Sequence, residues 1–200
     1  MQINTDLLKN KQRIYIGGNH GVKKIYNLTK HVLTAIGKPA DFFAVGEENE
    51  LTDAPIVIIK GGDELENGKA VFHQLDIHIL LIHRIDEDVP EPYKSFEEYI
   101  SQFESLADNL PKAGTFLFFE GDNVATLMGK KEREDVRNIE YTALPVDTLE
   151  DGYNFLFGSE RIKVASTSKR FPAHAAGAKA LLNRIGVSDA KFYDALKTFS

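Results

Sequence analysis

The stretch RIYIGGNHGVKKIYNLTKHVLTAI, from Arg13 to Ile36, decides the fold of this chain. A β-branched and aromatic run, Ile14–Ile16, breaks at a glycine-rich turn, Gly17–Gly21. Apolar residues then recur at helical spacing, at Ile25, Leu28, Val32 and Ile36. The pattern predicts a strand, a tight turn and a helix.

A turn of this kind can bind phosphate, because it places backbone N–H groups at the positive end of a helix dipole. A phosphate loop of the type G-x-x-x-x-G-K-[ST] also needs a lysine directly after the last glycine and then a hydroxyl residue. Here Gly21 is followed by Val22, Lys23 and Lys24. One helical position is a rotation of about 100°, so Lys23 does not replace the missing lysine.

Two interpretations of the turn follow. It is either a strand-to-helix connection that needs glycine for its backbone conformation, or a degenerate phosphate loop that still attracts a small anion. In the second case the candidate binding residues are Gly18, His20, Gly21, Val22, Lys23 and Lys24. The connection would be purely structural if His20, or the tail near Lys9–Arg13, folded over the turn and filled it.

Composition predicts one domain over residues 1–200, since the chain is 42% hydrophobic and 27% charged and long enough for one sizeable core. The formal net charge of −6 argues against nucleic-acid or anionic-membrane partners. The first thirty residues are a local basic exception. They contain Lys9, Lys11, Arg13, Lys23, Lys24 and Lys30.

The sequence has no cysteine, which excludes disulfides, thiolate metal sites and cysteine nucleophiles. We predict no metal ligands and no catalytic residues. The first residues lack an apolar core of signal-peptide length, and no apolar run approaches membrane-spanning length. We therefore expect a cytoplasmic protein.

Further along the chain, unbroken apolar runs at Ile56–Ile59 and Asp76–Ile82 are typical of strands buried on both faces of a parallel sheet. Ser95 and Glu98 form a capping box for a helix, and another helix is predicted to run from Val124 into the segment Lys130–Arg137. The remaining predicted elements are strands at Phe42–Val45, Thr115–Phe119 and Glu140–Ala143, a hairpin of Tyr153–Phe157 with Arg161–Val164, and closing helices at Ala173–Ile185 and Ser188–Thr198. The prediction is an α/β fold: a mainly parallel sheet, helices on both faces and a late β-hairpin.

The segment IYIGGNHGVKKIYNLTKHVL resembles the G-[TS]-H-G-K-T-T loop and following helix of the Mur ligases, the ATP-dependent amide ligases of peptidoglycan synthesis. IIKGGDELE is similar to the family's E-G-D-E-Y motif, and the final 29 or so residues, from Phe171, also match. The resemblance is closest to the murein tripeptide ligase branch and to peptidoglycan synthetases of Bacteroidetes. It implies a central ATPase domain, with the N-terminal UDP-binding and C-terminal ligase domains absent.

The resemblance also implies a lost active site. Val22 stands where the family has its phosphate lysine, and Lys23 where it has the Mg²⁺-binding threonine. The Mg²⁺-binding glutamate falls on Lys60 or Gly61.

Later motifs have changed as well. The family's D-H pair falls on Asp88-Val89, so the metal-binding histidine is missing, and its H-N pair near adenine falls on Arg170-Phe171. Asp63 and Glu64 remain acidic, as in the family motif, although a solvated turn explains them equally well.

Three functions remain open. We expect a non-catalytic protein that uses the domain as a binding or scaffolding surface for an unknown protein partner, without the ATP and Mg²⁺ of the family. The alternatives are a weak nucleotide or anion binder at the glycine turn, and an ATP-dependent ligase of peptidoglycan synthesis or recycling completed by partner chains.

Overall fold

A computed structural model describes residues 5–199 of the chain. The element order begins with a short 3-10 helix at Thr5–Leu8, and a second one lies at Val71–Gln74. The strands are β1 (Gln12–Gly17), β2 (Asp41–Ala44), β3 (Ile56–Lys60), β4 (Leu65–Glu66), β5 (Lys69–Ala70), β6 (Ile79–Ile82), β7 (Thr115–Phe119), β8 (Arg137–Tyr141), β9 (Val146–Leu149), β10 (Gly152–Phe157) and β11 (Glu160–Ala165). The helices are α1 (Val22–Ala35), α2 (Phe96–Asp108), α3 (Asn123–Lys130), α4 (Phe171–Arg184) and α5 (Asp189–Leu196).

The main sheet is parallel, as predicted. Within residues 5–199, six strands pair in the order β2-β3-β1-β6-β7-β8, and every ladder between them is parallel. Strand β1 lies at the centre, with β3 on one side and β6 on the other. After β1 the chain forms β2 and β3 on one side of this strand and then crosses to β6 on the other side. In open α/β sheets, ligands bind outside the carboxyl ends of the strands at the point where the strand order reverses in this way. The glycine turn follows β1 at this position.

Helices cover both faces of the sheet, which confirms the predicted layers. The side chains of β1 alternate: Ile14 and Ile16 belong to one buried cluster and Tyr15 to the other. The first cluster includes side chains from α1, α4 and α5, and the second includes side chains from α2 and α3. Burial of each large apolar side chain contributes about 1.5–3 kcal/mol, so the two clusters fix the sheet between its helical layers.

The late antiparallel addition is larger than predicted. The hairpin of β10 and β11 is present, but β9 pairs with the other edge of β10 and makes a three-stranded sheet within the described chain. The sequence analysis missed β9, because only four residues pair and two of them, Asp147 and Thr148, are exposed. A strand this short with little burial has a weak pattern.

Three predicted boundaries are wrong. Helix α3 ends at Lys130 and does not run into the charged segment, because the Arg133 guanidinium folds back and donates to the Met128 carbonyl at 2.7 Å. Strand β8 begins at Arg137, earlier than the predicted Glu140, because its residues pair in register with β7. The predicted run from Asp76 becomes a strand only at Ile79, since Asp76 itself has a φ of 46°.

The capping box of α2 is present with one change. The Ser95 hydroxyl accepts from the Glu98 N–H at 3.1 Å, but the Glu98 carboxylate accepts from the Lys94 N–H at 2.7 Å. Within residues 5–199, none of the helices is both long and apolar enough to cross a membrane.

Candidate functional site

The glycine turn connects β1 to α1 and contains two positions, 18 and 21, whose backbone conformation and close neighbours favour glycine. Gly18 has a φ of 107°, and a Cβ there would lie 2.2 Å from the Arg84 carbonyl oxygen. Gly21 has a φ of 80° and is the N-cap of α1. No side chain of the described chain caps this helix, so the first N–H groups of α1 keep their capacity to bind an anion.

The side chains of the turn are tied to the segment after β6. Asn19 accepts from the Asp86 N–H and donates to the Asp86 carbonyl, both at 2.9 Å, and its backbone N–H donates to the Arg84 carbonyl at 3.1 Å. Asn19 also donates to the Asp88 carboxylate at 3.1 Å. The turn is therefore held by residues 84–88, and the tail at Lys9–Arg13 lies near the opposite, amino end of the strands, where the Arg13 guanidinium donates to the Leu8 carbonyl.

His20 reaches two carboxylates of the same segment. Its Nε2 lies 2.9 Å from Asp88 Oδ1 and 3.3 Å from Asp86 Oδ2. Donor atoms of these three residues lie within 4.8 Å of one another, a group that could in principle hold a cation. The Arg84 Nε, however, lies 2.7 Å from both Asp86 oxygens. Because this cation already compensates Asp86, the group is a salt-bridge network in its present arrangement.

The first residues of α1 do not provide the groups of a phosphate-transfer site. Val22 packs against the core cluster of α1 and α4, whereas Lys23 and Lys24 are exposed. Transfer of a phosphoryl group depends on a lysine and Mg²⁺ that neutralise its charge. Among the described residues, neither the Lys23 nor the Lys24 side chain forms a hydrogen bond with the turn.

At the carboxyl end of β3, Lys60 occupies one of the two positions, Lys60 or Gly61, to which the resemblance assigns a magnesium ligand. The Lys60 Nζ lies 2.8 Å from the Glu47 Oε1 and 5.4 Å from the centre of the Tyr26 ring. Mg²⁺ requires oxygen ligands in near-octahedral geometry. An ammonium group there repels a divalent cation, so the residues present do not fit the metal site of the family.

Asp63, which survives from the family motif, is part of a tyrosine cluster. The Tyr99 hydroxyl donates to the Asp63 carboxylate at 3.3 Å, and the Tyr93 hydroxyl donates to the Asp63 carbonyl at 2.5 Å. Burial raises the pKa of Asp63. These bonds hold the loop after β3 against α2 and the segment before it, which is a structural role.

Sequence analysis missed two buried histidines behind the turn. The rings of His83 and His174 lie 5.0 Å apart, and a Cβ added to Gly21 would meet both of them, at 2.5 Å and 2.8 Å. His83 Nδ1 bonds to the Tyr141 hydroxyl at 2.9 Å, while His174 Nδ1 is buried without a partner among the described residues. The position of His83 directly after the apolar strand β6 was the one signal available.

Burial lowers the pKa of His83 to about 3, with further contributions from His174, Arg84 and Arg170. Burial likewise lowers the pKa of His174 to about 4, assisted by Arg170 and Lys24. Both rings are therefore neutral at physiological pH. They fill the space behind Gly21 and add no charge to it.

A cavity of about 560 Å³ opens beside the turn, between the main sheet and the three-stranded sheet. Its walls combine apolar and basic side chains, including His83, Arg84, Phe119, Tyr153, Lys169 and Arg170. Phe171, in contrast, is only 3% exposed and packs against Tyr153, Phe155 and Phe199. Of the predicted pair Arg170-Phe171, only Arg170 reaches the cavity.

Comparisons with known proteins show that the sequence and the fold of this chain are similar to those of several ligases. No family model matches the chain. The chain is 28% identical over 153 residues to the UDP-N-acetylmuramate–L-alanine ligase of Dictyoglomus turgidum, covering 68% of this chain and 29% of that protein. The chain therefore spans less than a third of the length of this curated relative.

Solved structures show the same fold. A murein peptide ligase (MPL) from Neisseria meningitides superposes with a TM-score of 0.77 at 15% identity, covering 96% of this chain and 67% of that one. MurF from Acinetobacter baumannii gives 0.77 at 11% identity, with coverages of 98% and 48%. A folylpolyglutamate synthase from Mycobacterium tuberculosis, solved with ADP and AMPPCP, gives 0.74 at 7% identity, with coverages of 97% and 60%.

The fold thus defines an α/β domain of the kind found in the Mur ligases and in folylpolyglutamate synthase. The 28% sequence identity to a Mur ligase points to the first of these two groups. Together with the fold, it supports the predicted resemblance to the central domain of the Mur ligase family.

Proposed function

We propose that this chain is a Mur-ligase-like domain that binds or scaffolds and does not catalyse ATP-dependent ligation. The observation that supports this most directly is the ion pair of Lys60 and Glu47, 2.8 Å apart. Lys60 is one of the two positions, with Gly61, where the resemblance implies a magnesium ligand. Val22 in place of the phosphate lysine supports the same conclusion. Electrostatic stabilisation by such groups is usually the largest catalytic contribution.

Loss of several charges together is difficult to compensate. A single neighbouring side chain can replace one missing cation, but here the lysine, the hydroxyl and the metal ligands have all changed. The two buried cores remain complete, so the domain has kept its fold. Peptidoglycan ligases are the first class of partner to test, because the fold and the sequence similarity both point to them.

The test is calorimetric titration with ATP and ADP, with and without Mg²⁺, together with an ATP hydrolysis assay. We expect no Mg²⁺-dependent hydrolysis and no gain in ATP affinity on adding Mg²⁺. Lys23→Gln is compared with Lys30→Gln, which removes a lysine from the exposed face of the same helix. Hydrolysis that is abolished by the first variant and kept by the second would refute the proposal.

Weak anion binding at the turn is a second candidate, and the uncapped N-terminus of α1 favours it. The carboxylates of Asp86 and Asp88, held near the turn by His20, oppose an anion and limit its affinity. Sulfate titration followed by NMR amide shifts tests this candidate. Shifts concentrated on Gly18, Gly21 and Val22 would support it, and uniform or absent shifts would leave a structural turn.

A further inference from the structure

A second basic hollow lies at the opposite edge of the sheet, where β1, β6 and β7 begin. Its volume is about 530 Å³. The segment before β1 contributes Lys9 and Lys11, the loop before β7 contributes Lys112, and the last turn of α4 contributes Arg184. Four cationic side chains from three separate segments therefore line one hollow.

The charge of this hollow contrasts with that of the whole molecule. The chain has a net charge of −6, yet no Asp or Glu is among the hollow's lining residues in the described part of the chain. Lys11 is compensated by Asp41, at 2.8 Å, and Lys112 by Asp135, at 2.9 Å. The local field is positive, because Arg184 adds its charge to these compensated pairs.

Arg184 is the cation with the most unused hydrogen-bonding capacity. Its Nη2 donates to the Thr115 hydroxyl at 3.3 Å, and its Nε is buried without a partner. Within residues 5–199, no carboxylate lies within ion-pair distance of this guanidinium. A guanidinium has five N–H donors, and leaving buried donors unpaired is unfavourable.

A helix-dipole role explains only part of this arrangement. Arg184 lies in the last turn of α4, where a cation is favourable beside the helix carbonyl groups. That role needs one cation at the surface of one helix. It does not account for Lys9 and Lys112, which converge on the hollow from other segments.

We propose that this hollow binds a small phosphorylated molecule, with Arg184 as the principal contact. A phosphoryl group carries about −1.5 to −2 charges and three acceptor oxygens, so it accepts from cations on several sides at once. Thr115 and Lys112 line the same hollow, and their hydroxyl and ammonium groups would complete this shell. The basic N-terminal segment is thus divided by the fold: Lys9 and Lys11 line this hollow, whereas Lys23 and Lys24 lie at the glycine turn.

The test is an NMR titration of the full chain with pyrophosphate, with citrate as an equally multivalent anion that lacks phosphorus. We expect saturable amide shifts at Ile79, Ala113 and Thr115 with pyrophosphate and much weaker binding of citrate. Arg184→Gln should weaken pyrophosphate binding at least about tenfold, the effect of losing one charge-assisted hydrogen bond.

Two further variants distinguish loss of binding from loss of folding, and from a non-specific effect of removing one positive charge. Lys112→Gln alters an exposed side chain and should weaken binding about two- to fivefold while the protein stays folded. Lys163→Gln removes a similarly paired, exposed lysine far from the hollow and should change nothing. The proposal is overturned by shifts confined to Gly18–Val22, by non-saturating shifts over the whole surface, by unchanged affinity in Arg184→Gln, or by equal affinity for citrate.

Discussion

Asn19 pairs with the backbone of Asp86 through two hydrogen bonds of 2.9 Å, one donated and one accepted by its side-chain amide. This reciprocal pair joins the glycine turn after β1 to the segment after β6. The pair satisfies backbone groups of Asp86 that would otherwise bond to water or to a ligand at this end of the sheet. The conformation of the turn is therefore held by hydrogen bonds within the chain.

Removing this pair should loosen the turn. We expect Asn19→Ala to lower the free energy of unfolding by about 1–3 kcal/mol, because it leaves the Asp86 N–H and carbonyl without their partner. Urea denaturation measures the loss. Asn183→Ala is the control, since Asn183 is exposed and makes one side-chain bond, to Asp189. Equal losses in the two variants would contradict the role assigned to Asn19.

The space behind Gly21 gives a second prediction. In Gly21→Ala, the new methyl group would lie 2.5 Å from the His83 ring and 2.8 Å from the His174 ring. Gly186→Ala is a matched control, because Gly186 also has a φ of 80° and nothing lies within 4 Å of the position that its methyl group would take. We expect the control to cost about 1–2 kcal/mol for the left-handed backbone and Gly21→Ala to cost at least about 1 kcal/mol more by overpacking. Thermal or urea unfolding of both variants measures the difference. A similar loss of stability in the two variants would show that the His83 and His174 rings move aside without cost.

The buried histidines predict a loss of stability in mild acid. Their pKa values are lowered to about 3 for His83 and about 4 for His174, against about 6.5 in the unfolded chain. Between these limits the unfolded state binds more protons than the folded state, so stability falls as the pH drops below about 6.5. Each histidine contributes a slope of up to about 1.4 kcal/mol per pH unit.

This prediction is tested by urea unfolding between pH 7.5 and pH 5. Burial raises the pKa values of Asp63 and Asp122, so these two carboxyl groups increase the stability as the pH falls. The titration stops at pH 5 to limit this opposing contribution. His174→Gln should reduce the slope, leaving the contributions of His83 and of His73 and His78, whose pKa values burial also lowers. An unchanged slope would mean that His174 binds protons equally in the folded and the unfolded protein, so that burial does not lower its pKa.

The buried ion pair at the amino edge of the sheet gives a fourth prediction. Lys11 and Asp41 are 8% and 4% exposed, and their charged atoms lie 2.8 Å apart. We expect Lys11→Met to cost about 3–5 kcal/mol, because it leaves the Asp41 carboxylate buried without its cation. Adding Asp41→Asn should recover part of this loss, since the Thr52 N–H and hydroxyl can still bond to the amide oxygen. A double variant less stable than Lys11→Met would contradict this account, and urea unfolding of both variants decides it.

The sequence by itself determined the layers of the fold. Local rules were sufficient for this: the glycine turn between Ile16 and Val22, the buried runs of β3 and β6, and the amphipathic stripe of α2 each follow from neighbouring residues. The predicted ends of helices and strands were less accurate where a side chain outside the element forms a hydrogen bond with its backbone. Arg133, which ends α3 by donating to the Met128 carbonyl, is an example that no local pattern reveals.

What surrounds the glycine turn was decided by the tertiary structure alone. The sequence located Gly18, Gly21 and the substitution at Val22, but not Asn19 bonded to Asp86, nor His83 and His174 behind Gly21. It also showed a single basic segment near the N-terminus, which the structure separates to opposite edges of the sheet. The physical reason is common to all of these cases. Hydrogen bonding, burial and charge depend on which residues meet across the sheet, and residues as far apart along the chain as Gly21 and His174 are brought together only by the order of its parallel strands.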